Sequence, residues 1–278
     1  MRDVRPSAVA GTWYPGTSAG LATAIDAHVA DVVEAFEGRP RAIVAPHAGL
    51  MYSGPVAAYA YKRVMNCRYS AIVLVGPSHF VGFRGVAIWP RGAWDTPFGT
   101  VPVAEEIAGA IASHSNDIHE RAAAHAREHS LEMQLPFVAR LLPGVPIVPL
   151  VMGYQTRETA EGLGDALADA LGSRAPRGGP EDVLLVASSD LSHYQDARVA
   201  SEMDAVVLRH VAALDPAALM DTLEHEPAHA CGGGPIVSVL RAARRLGASR
   251  AKVLHYADSG DVSGDKSAVV GYMAAAVW

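Results

Sequence analysis

A chain of 278 residues, half of them hydrophobic and 19% charged, is long and apolar enough to bury a full core, which excludes a disordered polymer. A net charge of −6 without a Lys/Arg cluster argues against nucleic acid as a main partner, and no apolar run reaches the roughly 18 to 20 residues that span a bilayer. Only two cysteines, Cys67 and Cys231, and an N-terminus without the apolar core of a signal peptide set the expectation of a cytoplasmic protein with no disulfide framework.

Hydrophobic periodicity predicts a helix over residues 18–36, then a strand over 41–45. A helix over 54–65 is expected to start through Ser53-Gly54-Pro55, with the proline at its first turn. Strands follow at 71–75 and 85–89, then a turn and a short extended piece at 94–102. Helices are predicted over 104–112 and 130–141, with Ser130 as the N-cap of the second and Glu132 favouring its dipole. A strand at 146–152 and a helix at 156–171 come next. The Gly/Pro-rich stretch 172–181 reads as a surface connection. Beyond it the pattern gives a strand at 183–187 and helices at 196–213, 216–224 and 235–246. Two late strands, 252–257 and 267–275, close the chain. Alternating strands and helices predict a single α/β domain over residues 1–278, a three-layer α/β/α sandwich. Its central sheet is mostly parallel, and mixed because the last two strands have no helical pattern between them.

Three of the apolar runs end in a turn that delivers a histidine: Pro46-His47, Gly76-Pro77-Ser78-His79 and Ser188-Ser189-Asp190-Leu191-Ser192-His193. Ligands of open α/β sheets bind beyond the carboxyl ends of the strands, so these side chains are placed to converge. Cys231 precedes a glycine triplet that opens a helix, a setting expected to lower its pKa and make it a nucleophile or a soft metal ligand. Asp190 is placed to orient His193, to cap a short helical turn, or to do both. Arg127-Glu128-His129-Ser130-Leu131-Glu132 is a further cluster. His28, His114, His119, His125, His210 and His255 read as solvated. Two histidines and one cysteine do not close a structural zinc site, and three ligands leave an open position suited to Fe(II), Cu or catalytic Zn.

The motifs, taken together, resemble the Memo family, whose prokaryotic members are called AmmeMemoRadiSam system protein B. The resemblance runs from Arg5-Pro6 and Gly11-Thr12-Trp13-Tyr14-Pro15 through Pro46-His47-Ala48-Gly49, Tyr52-Ser53-Gly54, Gly76-Pro77-Ser78-His79 and Thr96-Pro97-Phe98-Gly99. It continues in Glu128-His129-Ser130-Leu131-Glu132, Ser188-Ser189-Asp190-Leu191-Ser192-His193-Tyr194, Cys231-Gly232 and Asp258-Ser259-Gly260-Asp261. It implies a fold like that of class III extradiol dioxygenases, with His47, His79 and Cys231 in the place of that group's iron ligands. Cysteine replaces the usual carboxylate, which argues against ordinary ring cleavage. The resemblance further implies His193 as an acid/base with Asp190 near it. Glu128, His129 and Ser192 are assigned to substrate contact. It also implies association with a radical SAM protein and an AMMECR1-like protein. The leading expectation is an iron- or copper-dependent oxidoreductase. A binding module holding a phosphorylated or carboxylated small molecule or peptide in the same pocket is the alternative, and a hydrolase using Cys231 with His193 is a third.

Overall fold

Apolar runs without alternation form strands only where both faces of the sheet are covered. The computed structural model describes residues 3–33, 38–172 and 182–278. The chain runs through β1 (Val4–Arg5), α1 (Ser18–Ala30), β2 (Ala42–Ala45), α2 (Leu50–Lys62) and β3 (Ala71–Pro77). Short strands β4 (Val86–Ile88), β5 (Ala93–Trp94) and β6 (Val101–Pro102) follow, then α3 (Glu105–Ser113), β7 (Ile118–Glu120) and α4 (Ala122–His125). A 3₁₀ turn at Glu132–Gln134 leads into α5 (Leu135–Leu141), β8 (Ile147–Met152), α6 (Arg157–Gly172) and β9 (Val183–Ser188). The remainder holds β10 (His193–Gln195), α7 (Ala197–Ala212), α8 (Pro216–His225), α9 (Gly233–Arg245), β11 (Ala251–Asp258), α10 (Gly260–Ser263) and β12 (Val269–Val277).

The apolar runs β2, β9, β3 and β8 lie side by side in that order, all parallel. Antiparallel strands flank them: β12 beside β2, with β10 and β11 on β12, and β4 beside β8. Helix α2 packs on β2, β11 and β12 with α1 and α5 behind it, while α9 packs on β2, β3 and β9 beside α6 and α8. This is the expected three-layer α/β/α sandwich with a mostly parallel, mixed sheet. A small second sheet joins β5 to β1 and β6.

Several boundaries differ from the periodicity, each for a local reason. Helix α1 stops at Ala30, capped by Asp31, and residues 34–37 of the expected helix lie outside the described residues. Helix α2 starts at Leu50, so Pro55 sits inside it and costs only the bond to the carbonyl of Met51, whose side chain is exposed. Ser130 is not an N-cap: its hydroxyl donates to Pro77 O, and a 3₁₀ turn precedes α5, where Pro136 takes an early position. Helix α9 begins at Gly233, two residues ahead of the expected start. Strand β10 carries a register shift at Tyr194, which adopts left-handed backbone (φ 61°), so three residues leave no periodic signal. The stretch 173–181 lies outside the described residues.

Glu132 does more than favour a helix dipole. Its buried carboxylate takes Arg5 Nη1 at 2.6 Å, Tyr14 OH at 2.8 Å and the backbone N–H groups of Ala8 and Val9. Arg5 in turn donates to His125 O and Glu128 O and lies over the Trp94 ring at 4.1 Å. The N-terminal segment is thereby fastened to the loop that carries Glu128 and His129. His125, expected at the surface, is fully buried beside Trp89 and Trp94. His28 and His255 are half-buried, the latter stacked on Tyr59.

Removing one member of a buried ion pair strands its partner, so Glu132→Gln is expected to lower the unfolding free energy by about 3 kcal/mol, against less than about 0.5 for breaking the exposed Arg198–Glu202 pair. Urea midpoints of the two variants check this. Burial, followed by the nearby Arg5, lowers the His125 pKa to about 3. Below its ordinary value of about 6.5 the unfolded chain takes a proton that the folded chain refuses, so stability is lost as the pH is lowered through that window, by up to about 1.4 kcal/mol per unit. His125→Gln is expected to flatten the profile between about pH 6 and pH 4 relative to the wild type. Urea titrations across that range measure the difference; parallel profiles would refute it.

Candidate metal centre

The sheet register sets the site. Ala45 of β2 pairs with Ser188 of β9, so His47 and Asp190, each two residues further on, leave the sheet at one level. His79 leaves the neighbouring β3 two residues after Pro77. Cys231 stands directly before Gly232, the N-cap of α9, and the loop 126–131 brings Glu128 and His129 over the same end of the sheet.

Hydrogen bonds fix the His47 ring. Gln134 Nε2 donates to Pro46 O at 3.1 Å, which sets the amide orientation, and also donates to Ser188 Oγ at 2.7 Å. Ser188 has one proton, and it goes to Ser130 O at 2.6 Å. Towards His47 Nδ1, 3.0 Å away, Ser188 therefore accepts, so the ring carries its proton on Nδ1 and turns a lone pair outward at Nε2. Burial, then the facing His79 and His129, lower the His47 pKa well below the usual value and keep the imidazole neutral.

His79 is fixed in the same manner. Its Nδ1 and its backbone N–H both meet the Glu128 carboxylate, at 2.8 and 2.6 Å. Burial alone would raise the Glu128 pKa, but the bonds from His79 and from Ser130 N–H outweigh it and hold it at about 2. The His129 ring stacks on His79 with centroids 4.4 Å apart and meets the edge of His47 at 5.7 Å. Burial, then His79, lower its pKa to about 4. One ring nitrogen from each of His47, His79 and His129 lies within 4.8 Å of the other two. Trp13 covers His129 with ring centroids 4.3 Å apart, and half-exposed Phe80 meets it edge-on at 5.9 Å.

Cys231 Sγ lies 3.2 Å from His47 Nε2 and accepts the Asp190 N–H at 3.3 Å. Its pKa is raised, not lowered as expected: burial and the Asp190 carboxylate disfavour the thiolate more than the bonds from Asp190 N–H and Ser189 favour it. Asp190 caps no helical turn, since the chain continues extended into β10. Its carboxylate instead accepts the N–H groups of His47 and Ala48, and burial raises its pKa. His193 donates from Nδ1 to Leu191 O at 2.8 Å, leaving Nε2 as its open nitrogen. Ser192 is buried, and its backbone bonds to Asp204 and Gly271.

The tight group in the structure is His47, His79 and His129, the last assigned above to substrate, while Cys231, the expected third ligand, stands beside His47 but outside that group. Ser188 and Gln134 were not anticipated. Ser188 had a signal, being the last residue of the strand that delivers Asp190; Gln134 had none.

The fold and site define an α/β/α protein with a histidine-rich centre beyond the carboxyl ends of its parallel strands. The sequence model of Memo-like proteins matches residues 5–276. A MEMO1 family protein of Methanosarcina acetivorans is 39% identical over 276 residues, and one of Thermotoga maritima 36% over 282, each alignment covering 98% of both chains. One from Methanothermobacter thermautotrophicus is 38% identical over 235 residues, 84% of this chain and 83% of that protein. The chain belongs to the Memo family.

A Cβ on Gly232 would stand 2.5 Å from Ser188 O and 2.8 Å from Ser189 Cβ. Gly232→Ala must push the Cys231 turn away from β9 and is expected to cost about 1 to 3 kcal/mol. Chemical denaturation of the variant measures it, and an unchanged midpoint would refute the close packing.

Proposed function

We propose that this Memo-family protein is an oxidoreductase of dioxygenase-like kind, acting on a small molecule at a single iron or copper ion. The observation that carries the reading is the convergence of three ring nitrogens within 4.8 Å of one another, with a thiol 3.2 Å from one of them. The donor chemistry fits. His47 and His129 are held neutral, as metal ligation requires, and the far nitrogens of His47 and His79 are engaged by Ser188 and Glu128, the outer-shell arrangement of metal-binding histidines. Imidazoles with one soft sulfur suit iron and copper, and zinc as a non-redox alternative.

His47 and His79 would hold the ion, with Cys231 and His129 competing for the third position. When bound, the metal would supply Lewis acidity and a one-electron couple at its open position, and would favour the Cys231 thiolate. The chain's own residues supply the rest. His193 Nε2 is available to take a proton from substrate and return it, since Nδ1 is committed to Leu191 O. Asp190 fixes the turn that carries His47 through two backbone N–H groups. Trp13 shields His129 from water on its outer side.

Anaerobic elemental analysis after separate addition of Fe(II), Cu(I) and Zn(II) tests the reading. Near-stoichiometric iron or copper is expected in the wild type. It should be lost in His47→Ala and bound about 10- to 100-fold more weakly in Cys231→Ser, where the sulfur is gone, and in Glu128→Gln, where His79 loses its anionic partner. Stoichiometric metal retained by His47→Ala would overturn the assignment. No metal under any condition would leave the alternative, a metal-free pocket for an anionic ligand.

A further inference from the structure

The three imidazoles are fixed by groups already described, but the backbone of Cys231 is held by a residue outside the site motifs. Gln155 lies in the loop after β8, the one parallel strand of the central four that delivers none of the site residues described above. Its Nε2 donates to Cys231 O at 2.7 Å, and its Oε1 accepts the Gly234 N–H at 2.8 Å. The loop that carries it is itself fastened, with Gly153 N–H on Gly85 O and Tyr154 N–H on Phe83 O.

Cys231 has two backbone torsions and one side-chain torsion that decide where its sulfur goes. The peptide unit after it is held at both ends, the carbonyl by Gln155 and the Gly232 N–H by Ser189 Oγ at 2.9 Å. The peptide unit before it is held by Cys231 N–H on Asp190 O. With both planes fixed, only the side-chain rotation remains, and the Asp190 N–H on Sγ selects it. Ser189 and Asp190 belong to the β9 turn and cannot hold the far carbonyl. Gln155 alone closes the clamp from the β8 side.

We infer that Gln155 is a positioning residue for Cys231: by holding the Cys231 carbonyl it aims Sγ at the proposed metal position. The inference rests on the metal-binding reading, and cobalt(II) alone is the probe, because a cobalt–thiolate bond gives a charge-transfer band separate from the d–d bands of imidazole coordination. The test compares wild type with Gln155→Met, which keeps the size and loses both bonds, and Gln155→Glu, which keeps the acceptor for Gly234 and loses the donor to Cys231. Cobalt titrations are followed anaerobically, with the unfolding midpoint of each metal-free variant alongside.

The wild type is expected to show the charge-transfer band. Gln155→Met should lose most of it and bind cobalt about tenfold more weakly while keeping the d–d bands. Gln155→Glu should lose the band as well, since the lost donor is the arm that matters, which holds the test open if the Met variant does not fold. A full band in either folded variant overturns the positioning role and leaves the metal reading standing. A wild type that binds cobalt without the band overturns Cys231 as a ligand and this inference with it, while one that binds no cobalt overturns the metal reading itself.

Discussion

The hydroxyl of Ser188 has a single proton, and its gift to the Ser130 carbonyl decides the rest of the centre. Because that proton is spent, Ser188 must accept from both Gln134 and His47, and His47 is left with its lone pair facing outward. Gln134 is satisfied at every atom by Tyr61 OH, Pro46 O and Ser188, so the network has no slack. Buried polar groups that are fully paired specify one arrangement, while one missing partner makes the whole set costly. A serine at the end of a strand thus determines which nitrogen of a histidine on the neighbouring strand can do chemistry.

A second buried set starts from Glu132, between Ser130 and Gln134 in the chain, and works through the N-terminal segment. Glu132 binds the N-terminal segment, Arg5 binds the carbonyls of His125 and Glu128, and Tyr14 places Trp13 against His129. Charges this deep give little net stability, because desolvation offsets their attraction. Their use is geometric. The loop bearing Glu128 is held by a salt bridge that touches none of the proposed ligands, and Glu128 in turn sets the ring of His79.

The sequence made the sheet legible because its central strands are apolar throughout, and it made His47 and His79 legible because both follow such strands through a proline. Cys231 stood out by its glycine triplet. What lay hidden depends on contacts between distant segments. The pairing of Arg5 with Glu132 has no local pattern, so Glu132 read as a helix-dipole residue. His125 sits in a stretch of alanines that looks exposed until Trp89 and Trp94 close over it. The Cys231 pKa moved against expectation because the helix-end argument omits burial and the carboxylate of Asp190. Ser53-Gly54-Pro55 misled because a proline within a helix is tolerated where the carbonyl it abandons belongs to an exposed residue.

Strand β2 is made early and finds its neighbours late. Val44 pairs with Ala187 on one side and Ala275 on the other, so both edges of the strand bearing His47 wait for segments made more than a hundred residues later. During synthesis its wholly apolar residues stand unpaired while most of the protein is still to come. Such long-range pairing is slow to form and leaves open edges that favour association between unfinished chains. The route by which a nascent chain reaches its centre therefore runs through β12, and deleting residues 275–277 would bare the edge of β2 in the finished protein.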